Sequence, residues 1–110
     1  MGRITQHSVY WVELDPTQGS EIAKTRPCVV VSPDELNEYL NTVVIIPLTS
    51  TLHGYPFRVQ CEVAGKLGEL VIDQIRTVDK SRLNVNNPLG QLSKREIKIL
   101  QDVINEMFCQ

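Results

Sequence analysis

Two apolar runs, Cys28-Val29-Val30-Val31 and Thr42-Val43-Val44-Ile45-Ile46-Pro47, leave this chain few ways to fold. Neither run has a polar face, so each reads as a short strand covered from both sides. A chain of 110 residues holds one domain; two independent cores would each be near the size where folding alone becomes marginal. A single domain over residues 1–110 is therefore expected.

The remaining segments favour the same class. Val9-Tyr10-Trp11-Val12-Glu13-Leu14 is aromatic and β-branched and stops at Asp15-Pro16, which predicts a strand. From Asp15 to Thr25 there is no period, only Pro, Gly, Ser and Lys, so this is a loop. Ser32-Pro33-Asp34-Glu35 predicts a short helix ending near Asn41, with Ser32 as the capping hydroxyl and Pro33 in the first helical position. Phe57, Val59, Cys61 and Val63 alternate with Arg58, Gln60 and Glu62, the pattern of a half-exposed strand. Ala64 to Gly68 reads as a turn, and Glu69 to Asp73 as the returning strand. Ser93-Lys94-Arg95-Glu96 is a capping box, and Ile97, Leu100, Val103, Ile104, Met107 and Phe108 follow at helical spacing. Short strands, a terminal helix and no βαβ alternation predict a mainly β chain: a small antiparallel barrel with a C-terminal helix. Gly19, Gly54, Gly65, Gly68 and Gly90 are expected at its joints.

Charge narrows the function. Eleven basic against thirteen acidic side chains give a net charge of -2, which argues against a protein held on duplex nucleic acid by bulk positive charge. The balance is uneven, however. Residues 58–98 carry eight basic and five acidic groups, while residues 1–57 carry three basic and six acidic. No run of 18 apolar residues occurs, and the N-terminus lacks the apolar stretch of a signal peptide. Cys28, Cys61 and Cys109 are an odd set without CxxC spacing, so a disulfide scaffold and a zinc cluster are not expected. A reducing cytoplasm, with no membrane partner, is the expected setting.

The usual catalytic groups are scarce. His7 and His53 stand far apart without a partner histidine or glutamate at ligand spacing, so no metal or other cofactor is expected. Cys28 and Cys61 read as small buried hydrophobes, and no nucleophile triad is visible. What remains suits phosphate recognition. Arg26 stands between a polar loop and an apolar strand, followed by Pro27, where its planar fork could meet a phosphate or simply a carboxylate. Thr49 and Ser50 end a buried strand and offer rim hydroxyls, or turn caps. Arg58, Arg76, Lys80 and Arg82 could contact phosphates or only solvate turns, and Tyr55 and Phe57 could stack on unpaired bases.

Together these residues resemble a known pattern. Leu14-Asp15-Pro16-Thr17-x-Gly19-Ser20-Glu21, Arg26-Pro27-x-Val29-Val30-Val31-Ser32, Pro47-Leu48-Thr49-Ser50, Gly54-Tyr55-Pro56-Phe57 and Asp73-Gln74-Ile75-Arg76 are similar to motifs of the MazF/PemK (Kid) toxin family. The resemblance runs from about Ser8 to the C-terminal helix. It implies an SH3-like barrel of the CcdB/PemK type that forms a two-fold homodimer. It also implies a metal-independent, sequence-specific endoribonuclease, or mRNA interferase, neutralised by a MazE-like antitoxin. Such enzymes use the 2′-hydroxyl of single-stranded RNA and leave 2′,3′-cyclic phosphate and 5′-hydroxyl ends. By motif, Arg26 resembles the catalytic arginine and Thr49 the hydroxyl that positions the scissile phosphate. Arginine makes a poor general base, so Arg26 is read as electrostatic stabiliser and proton donor, with Glu21 as its partner or as the base. Ser20, Ser50, Tyr55, Phe57, Arg58, Asp73, Gln74 and Arg76 are the expected RNA contacts. Some PemK/Kid-type members carry an Arg and a His where this chain has Val71 and Ser20, so their assignment does not transfer and Asp73 is demoted to a supporting role. Two rival readings share the barrel: a CcdB-like gyrase poison acting through the end of its C-terminal helix, and a non-catalytic RNA-binding barrel.

Overall fold

The computed structural model describes residues 3–110; Met1 and Gly2, at the start of the segment expected to lack a signal peptide, lie outside them. The strands are β1 (Ser8–Glu13), β2 (Thr25–Val30), β3 (Thr42–Thr49), β4 (Arg58–Val63), β5 (Lys66–Val71), β6 (Arg76–Asp79) and β7 (Gly90–Gln91), with helices α1 (Asp34–Tyr39) and α2 (Lys94–Phe108). They form one antiparallel sheet in the order β4-β5-β3-β2-β1-β7, and β6 also pairs with β3.

The curl of this sheet follows from β3. One of its edges meets β2, with Cys28 opposite Pro47 and Val30 opposite Ile45. The other edge is shared: Thr42 to Ile45 pair with β6, whereas Leu48 and Thr49 pair with β5. The sheet therefore splits around β3, and a bridge between Val12 and Leu83 draws the far side back to β1. The expected barrel is present, with β4 and β5 folded away from β6.

Two apolar clusters lie on opposite faces of the central strands. Val9, Val29, Ile46 and Leu48 pack with Val59, Cys61, Leu70 and Leu100. Tyr10, Val12, Cys28, Val30 and Ile45 pack instead with Val78 and Leu83. Successive side chains on a strand face opposite ways, so covering both faces requires every position to be apolar. That is why the two runs have no polar side.

Several local details differ from expectation. Ser32 does not cap α1: its hydroxyl donates to Asn37 Oδ1 at 2.6 Å and accepts the Val44 N–H at 3.1 Å. Pro33 occupies the cap position instead, and the helix stops at Tyr39. The turn between β4 and β5 is only Ala64-Gly65, both at positive φ, so β5 starts at Lys66. Gly68 therefore sits inside a strand rather than at a joint. A Cβ there would lie a tight 3.3 Å from the Thr49 carbonyl oxygen, so glycine suits the close approach of β5 to β3. β5 stops at Val71, and Ile72–Gln74 makes a single 3-10 turn into β6.

The capping box is formed as expected, with Ser93 and Glu96 bonding each other's backbone N–H groups. Leu100 is the fully buried anchor of α2, while Phe108 remains 57% exposed and outside the core. Among the described residues no helix is long and apolar enough to cross a membrane.

Candidate active site

The start of β2 and the end of β3 lie at the same end of the sheet. Extending the Cys28–Pro47 register by two positions brings Arg26 beside Thr49. Both line a groove of about 410 Å³, together with Trp11, Lys24, Ser50 and Lys66. Arg26 donates from Nε to the Ala23 carbonyl at 3.0 Å, which fixes the plane of its fork. Among the described residues no hydrogen-bond partner occupies its two Nη groups. The Thr49 Oγ1 accepts the Thr51 N–H at 3.2 Å, leaving its own O–H free to donate. A cationic fork and a hydroxyl donor thus meet at one groove wall, the donors that a phosphate accepts from.

The loop before Arg26 is held from a distance. Gln74 accepts the Ile22 N–H at 2.7 Å and donates to the Ser20 carbonyl at 3.4 Å. Arg76 donates to the Leu14 carbonyl, and Arg82 to the carbonyls of Glu13 and Asp15. Lys80 donates to the Asn37 carbonyl. Three of the eight cations counted in the basic segment, Arg76, Lys80 and Arg82, are thus engaged in holding backbone. The charge facing the groove comes from Lys24, Arg26 and Lys66, two of them from the segment whose composition is acidic. Glu21 is exposed; its Oε1 accepts the Gln18 N–H at 2.6 Å, and it is not part of the groove lining.

Four more expected residues gather in a second cluster. Arg58 meets Asp73 through two bonds, Nε to Oδ1 at 3.1 Å and Nη2 to Oδ2 at 3.2 Å. Its Nη1 reaches Glu69 Oε1 at 3.3 Å. The Asp73 bond raises the Arg58 pKa above its ordinary value, and Arg58 in turn holds the Asp73 carboxyl below the usual range. Burial pushes the Glu69 carboxyl up, but the Gly54 N–H, Arg58 and the His53 N–H outweigh it and keep the group ionised. Tyr55 is exposed and stacks on His53 with ring centroids 4.7 Å apart, and Phe57 is half-buried at a φ of 62°. Val71 pairs in register with Arg58, so the cation beside Asp73 comes from the neighbouring strand.

Trp11, Lys24, Lys66 and Glu69 are the residues that sequence reasoning missed. Trp11 lies on the strand between two core positions yet is 41% exposed. Glu69 carried the more legible signal: a carboxylate inside the run Gly68-Glu69-Leu70-Val71-Ile72 needs a partner if the strand is buried. Burial pushes the Cys28 and Cys61 thiols up to about 12, as expected of buried hydrophobes. Among the described residues no group of three or more His, Cys, Asp or Glu side chains is arranged so that it could hold a metal ion.

The family model described as the PemK-like, MazF-like toxin of type II toxin–antitoxin systems matches residues 5–108. The chain belongs to the PemK/MazF toxin family. It is 33% identical over 98 residues to the endoribonuclease toxin MazF of Escherichia coli K12, covering 89% of this chain and 87% of that protein. It is also 33% identical over 103 residues to the endoribonuclease MazF of Staphylococcus saprophyticus, covering 88% and 84%. The crystal structure of MazF from Deinococcus radiodurans is similar with a TM-score of 0.83 at 24% identity, over 96% of both chains. A mycobacterial endoribonuclease solved with its cognate antitoxin gives 0.77 at 21% identity, over 93% and 91%. These structural likenesses bear on the fold. In PemK/MazF terms, the Arg26-Pro27 and Pro47–Ser50 motifs are the two that meet at the groove.

Proposed function

We propose that this chain is a sequence-specific, metal-independent endoribonuclease toxin that cuts single-stranded RNA, with mRNA as its cytoplasmic target. The observation that carries this reading is the meeting of the unpartnered Arg26 fork with the Thr49 hydroxyl at one groove wall. The endoribonuclease relatives support RNA as substrate. The gyrase-poison reading is not favoured beside them.

The nucleophile is the 2′-hydroxyl of the RNA itself, so the protein supplies positioning and charge rather than a serine or a metal. Arg26 binds the non-bridging oxygens and offsets the charge that grows on the pentacoordinate phosphorus. Thr49 donates to the same group and holds it in line. Arg26 acts as electrostatic stabiliser and passes a proton to the departing 5′-oxygen, regaining it from solvent. Glu21, the only carboxylate between Asp15 and Arg26, takes the 2′-hydroxyl proton. The products are a 2′,3′-cyclic phosphate and a 5′-hydroxyl. Ser20, Ser50, Tyr55 and Phe57 contact the strand beyond the cut, while Arg58, Asp73, Gln74 and Arg76 serve by fixing the loops that meet it.

The partner is a second copy of the chain, in a two-fold homodimer, and a MazE-like antitoxin. Solved complexes of MazE with MazF from Deinococcus radiodurans support the antitoxin. Exposed Trp11, Leu52 and Leu67 support further association.

A long mixed-sequence RNA incubated with the protein in excess EDTA tests the reading. Discrete fragments that recur at a fixed sequence are expected. An RNA left intact, with or without added divalent metal, would contradict it.

A further inference from the structure

Glu69 is 1% exposed and belongs to no step of the reaction above. Its neighbours explain why a carboxylate is tolerated there. Oε2 accepts two backbone N–H groups from the β3–β4 loop, His53 at 3.1 Å and Gly54 at 3.0 Å. Oε1 accepts Arg58 Nη1 at 3.3 Å, and Arg58 is itself anchored on Asp73. By register Glu69 stands directly opposite Thr49 on β3. One buried group thus ties the strand end that carries Thr49 to the loop that follows it.

That loop presents an aromatic surface. His53 and Tyr55 stack with 18° between their planes, and the Arg58 guanidinium carbon lies 4.9 Å from the Tyr55 ring centroid. Gly54, at a φ of +67°, turns the chain so that both neighbouring rings come to one side. Tyr55 nevertheless remains 54% exposed. An exposed aromatic pair held in place before binding loses little freedom when a base stacks on it.

We infer that Glu69, acting with Arg58, is a positioning residue that fixes His53 and Tyr55 as a stacking platform for an unpaired base next to the scissile phosphate. The inference rests on the ribonuclease reading and deepens it: the platform selects sequence, whereas Arg26 and Thr49 perform the cut. Glu69→Gln keeps the shape and removes the charge that holds Arg58 and the two N–H groups. Tyr55→Ala and His53→Ala remove the exposed rings directly.

The experiment measures cleavage of an RNA oligonucleotide containing the wild-type site, with cut sites mapped on a long RNA. Amide exchange of His53 and Gly54 is followed by NMR. In Glu69→Gln and Tyr55→Ala, KM is expected to rise ~10-fold, the loss of one stacked base, with a smaller change in kcat and additional cut sites. In Glu69→Gln the two amides exchange faster. A folded Glu69→Gln protein with wild-type KM, cut sites and amide exchange would overturn the inference, as would a fall in kcat alone. Should Glu69→Gln fail to fold, the two ring variants decide, because unchanged KM and cut sites in both would remove the platform. Failure of the ribonuclease reading has a different signature, wild-type protein that leaves RNA intact, and the amide-exchange comparison still tests the latch.

Discussion

Replacing Arg26 by alanine is expected to slow RNA cleavage by about 10²–10³-fold with little change in stability. The Arg26 side chain spends one donor, Nε, on the Ala23 carbonyl and holds the rest of its fork toward the groove. Removing a preorganised donor from a developing oxyanion is the change with the greatest cost to a reaction whose nucleophile belongs to the substrate. The loop itself keeps its tethers to Gln74 and Arg82, so the fold has other support. Arg26→Lys should recover only part of the rate, since a point charge lacks the two-pronged donor set. Single-turnover kinetics on a defined RNA, beside a urea unfolding curve, checks both halves. A folded Arg26→Ala protein with the wild-type rate would remove Arg26 from the site.

The largest expected loss of stability comes from Leu100→Ala. Leu100 is fully buried and locks α2 onto the cluster that contains Val59, Cys61 and Leu70. Truncating such a leucine removes its burial and leaves a cavity, together about 3 kcal/mol. In a domain of this size that lowers the unfolding midpoint by roughly 10–20 °C. Ile99, one position earlier and 40% exposed, is the control: its alanine variant should lose well under 1 kcal/mol. Urea denaturation of both proteins gives the comparison. Equal effects at the two positions would mean that α2 is not anchored through Leu100.

The contrast between these two positions also shows what a sequence reveals. Helical spacing marked Leu100 as core because burial of one helix face is a local pattern. The same spacing marked Phe108, which the structure leaves exposed as the last residue of α2. The two apolar runs were legible for a similar reason, since their lack of any polar face reports cover on both sides. The Arg26–Thr49 meeting was foreseen only through the family motifs, because it depends on how β2 and β3 pair. The charge count misled where geometry is long-range. Arg76 and Arg82 bond carbonyls 62 and 69 residues away, and no local window shows such a partner. Glu69 escaped notice likewise, since its partners at His53, Gly54 and Arg58 converge only when the loop folds over β5. The tight Ala64-Gly65 turn was hidden by Ala64, a residue that rarely takes positive φ.

In the proposed reaction the RNA supplies its own nucleophile, while Arg26 and Thr49 hold the phosphate and offset its charge. Mass analysis of the fragment ends from RNA cut in excess EDTA tests it most directly. The account predicts 2′,3′-cyclic phosphate on one fragment and 5′-hydroxyl on the other; 5′-phosphate and 3′-hydroxyl ends would contradict it.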